Sequence, residues 1–332
     1  MKIITKPHFY YVLIVLTILL YGHFFFINKN ALKTKKTQKQ NTSINYEQKF
    51  LSEDEEIKKY VNSKILFFIF LSLGISINVF ALFFIFTDRK KIKNFFKSEK
   101  TDKISSQPTD LLEFFVFSAF VVIFLKTIIH YTKLFFIKSP ITANFIQILS
   151  ASFIIQAIFT SFIFILIKEK YGKYPKMTYT PKNFPANFLK STTITLGVFP
   201  WTIILFFIGA IIKHFLFDAE TPTFLDKLLK QNQNNLIFKY LIIYSVIGAP
   251  FFEETIFRGF IYNTLKNKLR LPTAVFLTSA IFATIHYNFL QMFYIFGLGI
   301  ALCLIYEATG SLFYPILIHS INNAIAIYFS IT

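Results

Sequence analysis

From about residue 8 to the C-terminus, apolar stretches of roughly twenty residues alternate with short polar breaks rich in lysine. Nine such stretches can be delimited, at about 8–27, 65–86, 111–130, 141–167, 193–217, 236–262, 272–289, 290–307 and 311–330. A helix of about 20 residues crosses a hydrocarbon core roughly 30 Å thick. The pattern therefore predicts an all-α, polytopic helical membrane protein with about nine transmembrane helices. Lys2 and Lys6 precede the first stretch, as in a secretory signal. Its length, and Asn28-Lys29-Asn30 where a small-residue cleavage site would sit, favour a retained anchor.

Composition agrees. The chain is 54% hydrophobic and 16% charged, with 46 Phe, whereas soluble domains carry about 25% charged residues. The net charge of +18 raises the question of nucleic acid. Lysines that flank membrane spans and meet anionic headgroups account for it better, so the expected partners are the bilayer and a peptide or protein, not nucleic acid. Cys303 is the only cysteine, which excludes an intramolecular disulfide and argues against a thiolate metal cluster.

The basic stretches 87–110 and 168–190 should face the cytoplasm. Alternation then places 263–271, with Lys266, Lys268 and Arg270, on the same side. It puts the N-terminus inside and the C-terminus outside. The basic loop 28–64 falls outside, against the rule. The setting expected is an integral, multi-pass protein of a bacterial cytoplasmic membrane. Residues 1–190 read as an N-terminal region of accessory spans and basic loops, and residues 191–332 as the part that carries chemistry.

Three polar clusters interrupt that second part: Glu253-Glu254-Thr255-Ile256-Phe257-Arg258, Phe282 to His286, and His319 to Asn323. Charges at bilayer depth cost several kcal/mol, so such clusters are functional sites or ion pairs. Counted from the cytoplasmic side, Glu253 lies about 15 Å deep, His286 about 21 Å and His319 about 12 Å. One slab holds all three. Helical phase sorts them further. Glu254 and Arg258 are i, i+4 and can pair along one face, which leaves Glu253 free as a general base. His319 and Asn323 also share a face. The imidazole can move protons, bind metal or donate a hydrogen bond, and the carboxamide suits a developing oxyanion. Phe282 lies one turn before His286 and could wall the site. Gly297, Gly299, Ala301 and Gly310 would let one helix approach its neighbours closely. The rival reading makes each cluster structural: a salt-bridge knot, a histidine bonded to a carbonyl, polar glue between helices. Shared depth favours one site. No HExxH, GxSxG or phosphate-loop motif occurs. The only aspartates after residue 110 are Asp218 and Asp226, in a loop, so no intramembrane aspartyl pair exists.

The order EExxxR, FxxxH, HxxxN resembles the CAAX-protease and bacteriocin-processing family of intramembrane proteases, also called the abortive-infection family. Pro250, Phe257-Arg258-Gly259 and Thr309-Gly310-Ser311-Leu312 fit as well, and the resemblance covers about 190–330. It implies an intramembrane endopeptidase acting on a membrane-associated or lipidated peptide or protein. It implies that Glu253 and His286 activate water, and that His319 and Asn323 stabilise the oxyanion. The family is often labelled metalloprotease, and a metal-free glutamate mechanism is also proposed. Glu253, His286 and His319 supply enough ligands for zinc, though nothing demands it. Two alternatives stand beside hydrolysis: a non-catalytic scaffold or bacteriocin self-immunity protein of the same fold, and a proton-coupled transporter, which no inverted repeat supports.

Overall fold

The computed structural model describes residues 14–15, 71–79, 106–136, 142–181, 183–216, 236–286 and 289–331. Every regular element among them is helical. Long helices follow the apolar stretches: α1 is Pro108–Phe136, α2 Thr142–Tyr171 and α3 Phe184–Leu216. The fourth rod, α4, is composite. It is α-helical over Leu236–Ile243, π-helical over Tyr244–Gly248, α-helical over Ala249–Glu254, π-helical over Thr255–Tyr262 and α-helical over Asn263–Lys266. Then come α5, Leu271–Thr284, α6, Phe289–Thr309, and α7, Phe313–Ile331. These seven correspond to seven of the nine predicted spans. Residues 71–79 are helical within the predicted span 65–86, and the span 8–27 falls almost wholly outside the described residues.

Three of the described helices are long and apolar enough to cross a membrane by length and composition: 108–125, 184–212 and 291–309. Their outer faces are apolar too. Trp201, Ile204, Phe207 and Ile211 on α3, Phe276 on α5 and Tyr328 on α7 are exposed, a surface suited to lipid rather than water. The chain is a helical integral membrane protein. Lipid gives helices no hydrophobic reason to associate, so close packing and polar contacts must do it. Both are present. Helix α6 lies between α3 and α5 and packs most extensively on these two. A Cβ on Gly297 would come within 3.0 Å of Thr202 Cβ on α3, and one on Gly299 within 3.1 Å of Ser279 Cα on α5. The predicted close approach is made by these two glycines.

The apolar core is shared between the two halves of the chain. Leu111 and Phe114 of α1 and Phe162, Ile163, Leu166 and Ile167 of α2 pack with Phe257, Phe260 and Ile261 of α4 and Phe282 of α5. The family-like motifs are therefore braced by helices upstream of residue 190.

One end of the bundle gathers the short connections. Leu312 N donates to Thr178 O at 2.8 Å. Ser311 Oγ donates to Thr180 O at 2.9 Å. The hydroxyls of Ser106 and Thr264 meet at 2.7 Å. At this end Lys170 Nζ bridges Asp110 Oδ1 (2.7 Å) and Glu113 Oε1 (2.6 Å). Tyr171 donates to Asp110 Oδ2 at 2.7 Å, and Lys266 pairs with Glu307. Burial lowers the Lys170 pKa, but the bonds and charges of Asp110 and Glu113 outweigh it and hold the ammonium above its ordinary value.

Candidate active site

The Glu253–Glu254 pair sits between the two π-helical segments of α4. Such wide turns recur where a helix must break its ladder for function. Here the sequence explains one break. Ser245 O would ordinarily take the N–H of residue 249 in an α turn or of residue 250 in a π turn. Ala249 N–H goes to Tyr244 O instead, and Pro250 has no N–H to give. Asn323 on α7 fills the vacancy: its Nδ2 donates to Ser245 O at 2.9 Å. The proline before the glutamates thus anchors the asparagine of the last motif.

Glu254 is fully buried and accepts from two side chains on one oxygen. Arg258 Nη1 reaches Glu254 Oε1 at 2.8 Å, and both side chains are 0% exposed. His319 Nδ1 reaches the same oxygen at 2.8 Å. Arg258 Nη2 donates to Gly299 O at 3.0 Å, where α6 runs close against Ser279 of α5. The guanidinium also lies over the Phe282 ring, 4.6 Å from its centroid. The expected Glu254–Arg258 pair is therefore present. Its bond to His319, which was not expected, extends it to α7.

Glu253 is partly buried, with 15% of its side chain exposed. Its Oε2 faces His319 Nε2 at 3.8 Å, too long for a direct hydrogen bond. His319 therefore has one nitrogen committed to Glu254 and the other turned to Glu253. The second carboxylate oxygen of Glu253 accepts from Gln156 Nε2 of α2 at 3.2 Å. Gln156 Oε1 in turn accepts from Tyr244 OH at 3.0 Å. Neither Gln156 nor Tyr244 is visible as a site residue in the sequence.

His286 is placed differently from the sequence expectation. Helix α5 ends at Thr284 after 14 residues, about 21 Å, so His286 lies in the turn beyond it. Its Nδ1 bonds Phe282 O at 2.7 Å. A carbonyl only accepts, so Nδ1 carries the hydrogen and Nε2 of the neutral ring is left as an acceptor. Phe282 joins the clusters. Its buried ring meets His286 edge-on at 4.9 Å and His319 at 5.7 Å between centroids. It is thus a shared platform rather than one wall. Asn322, beside Asn323, accepts from Tyr294 OH and donates to Asn323 Oδ1 at 3.4 Å.

A zinc site needs three protein ligands at about 2.0–2.2 Å. Among the described residues no group of three or more His, Cys, Asp or Glu is arranged to hold a metal ion. In both histidines Nδ1 is taken, by Glu254 in His319 and by a carbonyl in His286, and Nε2 is the nitrogen left to face a ligand.

A bundle of apolar helices that buries Glu254, Arg258 and His319, with Glu253, His286 and Asn323 partly buried, defines a polar site within a membrane protein. Residues 235–325 match the family model of type II CAAX prenyl endopeptidases, described as Rce1-like. That region, with all three motifs, is of the CAAX-protease and bacteriocin-processing family. The chain is also similar to the membrane-embedded CAAX protease MroQ of Staphylococcus aureus (strain USA300), at 27% identity over 146 residues, covering 40% of this chain. It spans 59% of that relative's length. No solved structure matches the chain.

Proposed function

We propose that this chain is an intramembrane endopeptidase that hydrolyses a peptide bond of a membrane-associated or lipidated peptide or protein. The observation that carries the reading is Glu253: a partly buried carboxylate with one oxygen fixed by Gln156 and the other facing an imidazole. Glu253 takes a proton from water while the acceptor nitrogen of His286 helps to hold that water. The hydroxide adds to the carbonyl carbon. The second N–H of Asn323 stabilises the oxyanion, and His319 joins it once Nε2 carries a hydrogen, since Nδ1 already donates to Glu254. Glu253 returns its proton to the departing amine, the C–N bond breaks, and a carboxylate and an amine leave. Glu254 and Arg258 orient His319 and take no part in proton transfer. In this proposal Glu253 serves as the base with no metal, and a chelator tests that choice.

The family resemblance and the basic end of the bundle support a bacterial cytoplasmic membrane with that end inside. Lys168, Lys170, Lys173, Lys176, Lys266, Lys268 and Arg270 all lie there. The proposed N-terminus is cytoplasmic by the same alternation.

The test is cleavage of a membrane-peptide library by purified protein in bilayers. The wild type should cut, the Glu253→Gln and His286→Ala variants should not, and a chelator should leave the rate unchanged. Undiminished cleavage by either variant would refute the mechanism. A Glu253→Gln variant that keeps the cellular phenotype would favour a non-catalytic scaffold or immunity protein.

A further inference from the structure

We infer that Gln156 and Tyr244 are positioning residues that aim the Glu253 carboxylate. The inference rests on the proposed role of Glu253 and adds to it a contribution from α2, which lies outside the region matched by the family model. Tyr244 OH has one hydrogen, and it is donated to Gln156 Oε1 at 3.0 Å. That contact fixes which end of the carboxamide points onward. The amide nitrogen is turned to Glu253 Oε1 at 3.2 Å. The reverse orientation would set the amide oxygen against a carboxylate. With Oε1 held, Oε2 is the oxygen that faces His319 and the one left to take a proton from water.

The surroundings hold the chain in place. Tyr244 is buried in the first π segment. Phe153, one turn before Gln156 on α2, meets the Tyr244 ring edge-on at 6.1 Å and the Phe252 ring at 5.3 Å. The helix carrying Gln156 and the helix carrying Glu253 are thus locked beside the bond between them. A neutral donor suits this task. It orients a carboxylate without pairing its charge, so the carboxylate remains able to act as a base.

The experiment measures kcat and KM for a cleaved membrane peptide with wild type, Gln156→Met, Tyr244→Phe, the double variant and Glu253→Gln. Gln156→Met should lower kcat by about ten- to a hundredfold with KM changed less than about twofold, as for a displaced reacting group. Tyr244→Phe should lower kcat less, by about three- to tenfold, because it acts only through Gln156. The double variant should match Gln156→Met alone. Losses in the double variant that multiply, or a Gln156→Met enzyme with wild-type kcat, would overturn the inference. Should Gln156→Met fail to fold, the infrared carboxylate band of Glu253, identified by difference from Glu253→Gln, should move in Tyr244→Phe; an unmoved band would overturn it too. The two levels separate cleanly. Cleavage by Glu253→Gln at the wild-type rate defeats the reading of Glu253 as the base. An inactive Glu253→Gln beside a fully active Gln156→Met defeats only the positioning chain.

Discussion

Replacing Arg258 by Met should be among the most damaging single changes outside the reacting groups. The guanidinium is fully buried and makes two hydrogen bonds, to Glu254 Oε1 at 2.8 Å and to Gly299 O at 3.0 Å. Hydrogen bonds of a charged group are worth about 1.5–3 kcal/mol each. Methionine fills much of the volume but leaves Glu254 as a buried carboxylate with only His319 to balance it. Breaking a buried pair from one side costs about 3–5 kcal/mol, whereas replacing both partners by neutral groups costs far less. The double variant Arg258→Met/Glu254→Gln should therefore recover about half or more of the loss, a coupling of roughly 2 kcal/mol. The assay is reversible unfolding in mixed micelles, read as the midpoint of a denaturing-detergent titration for the four proteins. Additive single effects, with coupling below about 0.5 kcal/mol, would refute the claim that this pair is one buried unit.

Further expectations concern other contacts. Asn323→Ala strands Ser245 O and should cost about 1–3 kcal/mol of stability; Pro250→Ala in the same chain restores an N–H and should recover stability but not cleavage, measured by unfolding and by peptide turnover. Gly299→Ala puts a Cβ 3.1 Å from Ser279 Cα and should destabilise the bundle by about 1–3 kcal/mol through overpacking; an unchanged unfolding midpoint would contradict the tight α5–α6 contact. The Lys170 pKa is raised on folding, although burial opposes the rise, because Asp110 and Glu113 favour the ammonium. Its contribution to stability is therefore fully present below the ordinary lysine value of about 10.4 and is lost as pH rises through the higher folded value. Wild type should lose stability faster than Lys170→Met above that pH, and parallel pH curves would contradict the bridge.

How much of this was legible in the residues differs from contact to contact. The Glu254–Arg258 pair follows from i, i+4 spacing alone. The glycines at 297 and 299 announce a close helix contact, and the structure supplies the partners, Thr202 and Ser279. What periodicity cannot show is a bond between distant helices. Gln156 and Glu253 are 97 residues apart and Glu254 and His319 are 65 apart. Gln156 sits in an apolar span that also holds Asn144 and Gln147, and nothing marks it out from them. The π segments were equally hidden, because Thr255–Tyr262 has the composition of any α-helix. Pro250 was the one available hint, since a proline inside a span must free a carbonyl somewhere. The end of α5 at Thr284 is not legible because Ile285, His286 and Tyr287 include no glycine or proline to mark a stop.

The most direct measurement is capture of a bound membrane peptide by the purified Glu253→Gln variant beside the wild type, with the recovered peptide weighed by mass spectrometry. The wild type should release two fragments whose masses together exceed that of the intact peptide by one water, while the variant should yield the intact peptide. The same two fragments released from the variant at the wild-type rate would mean that this carboxylate does not activate the water.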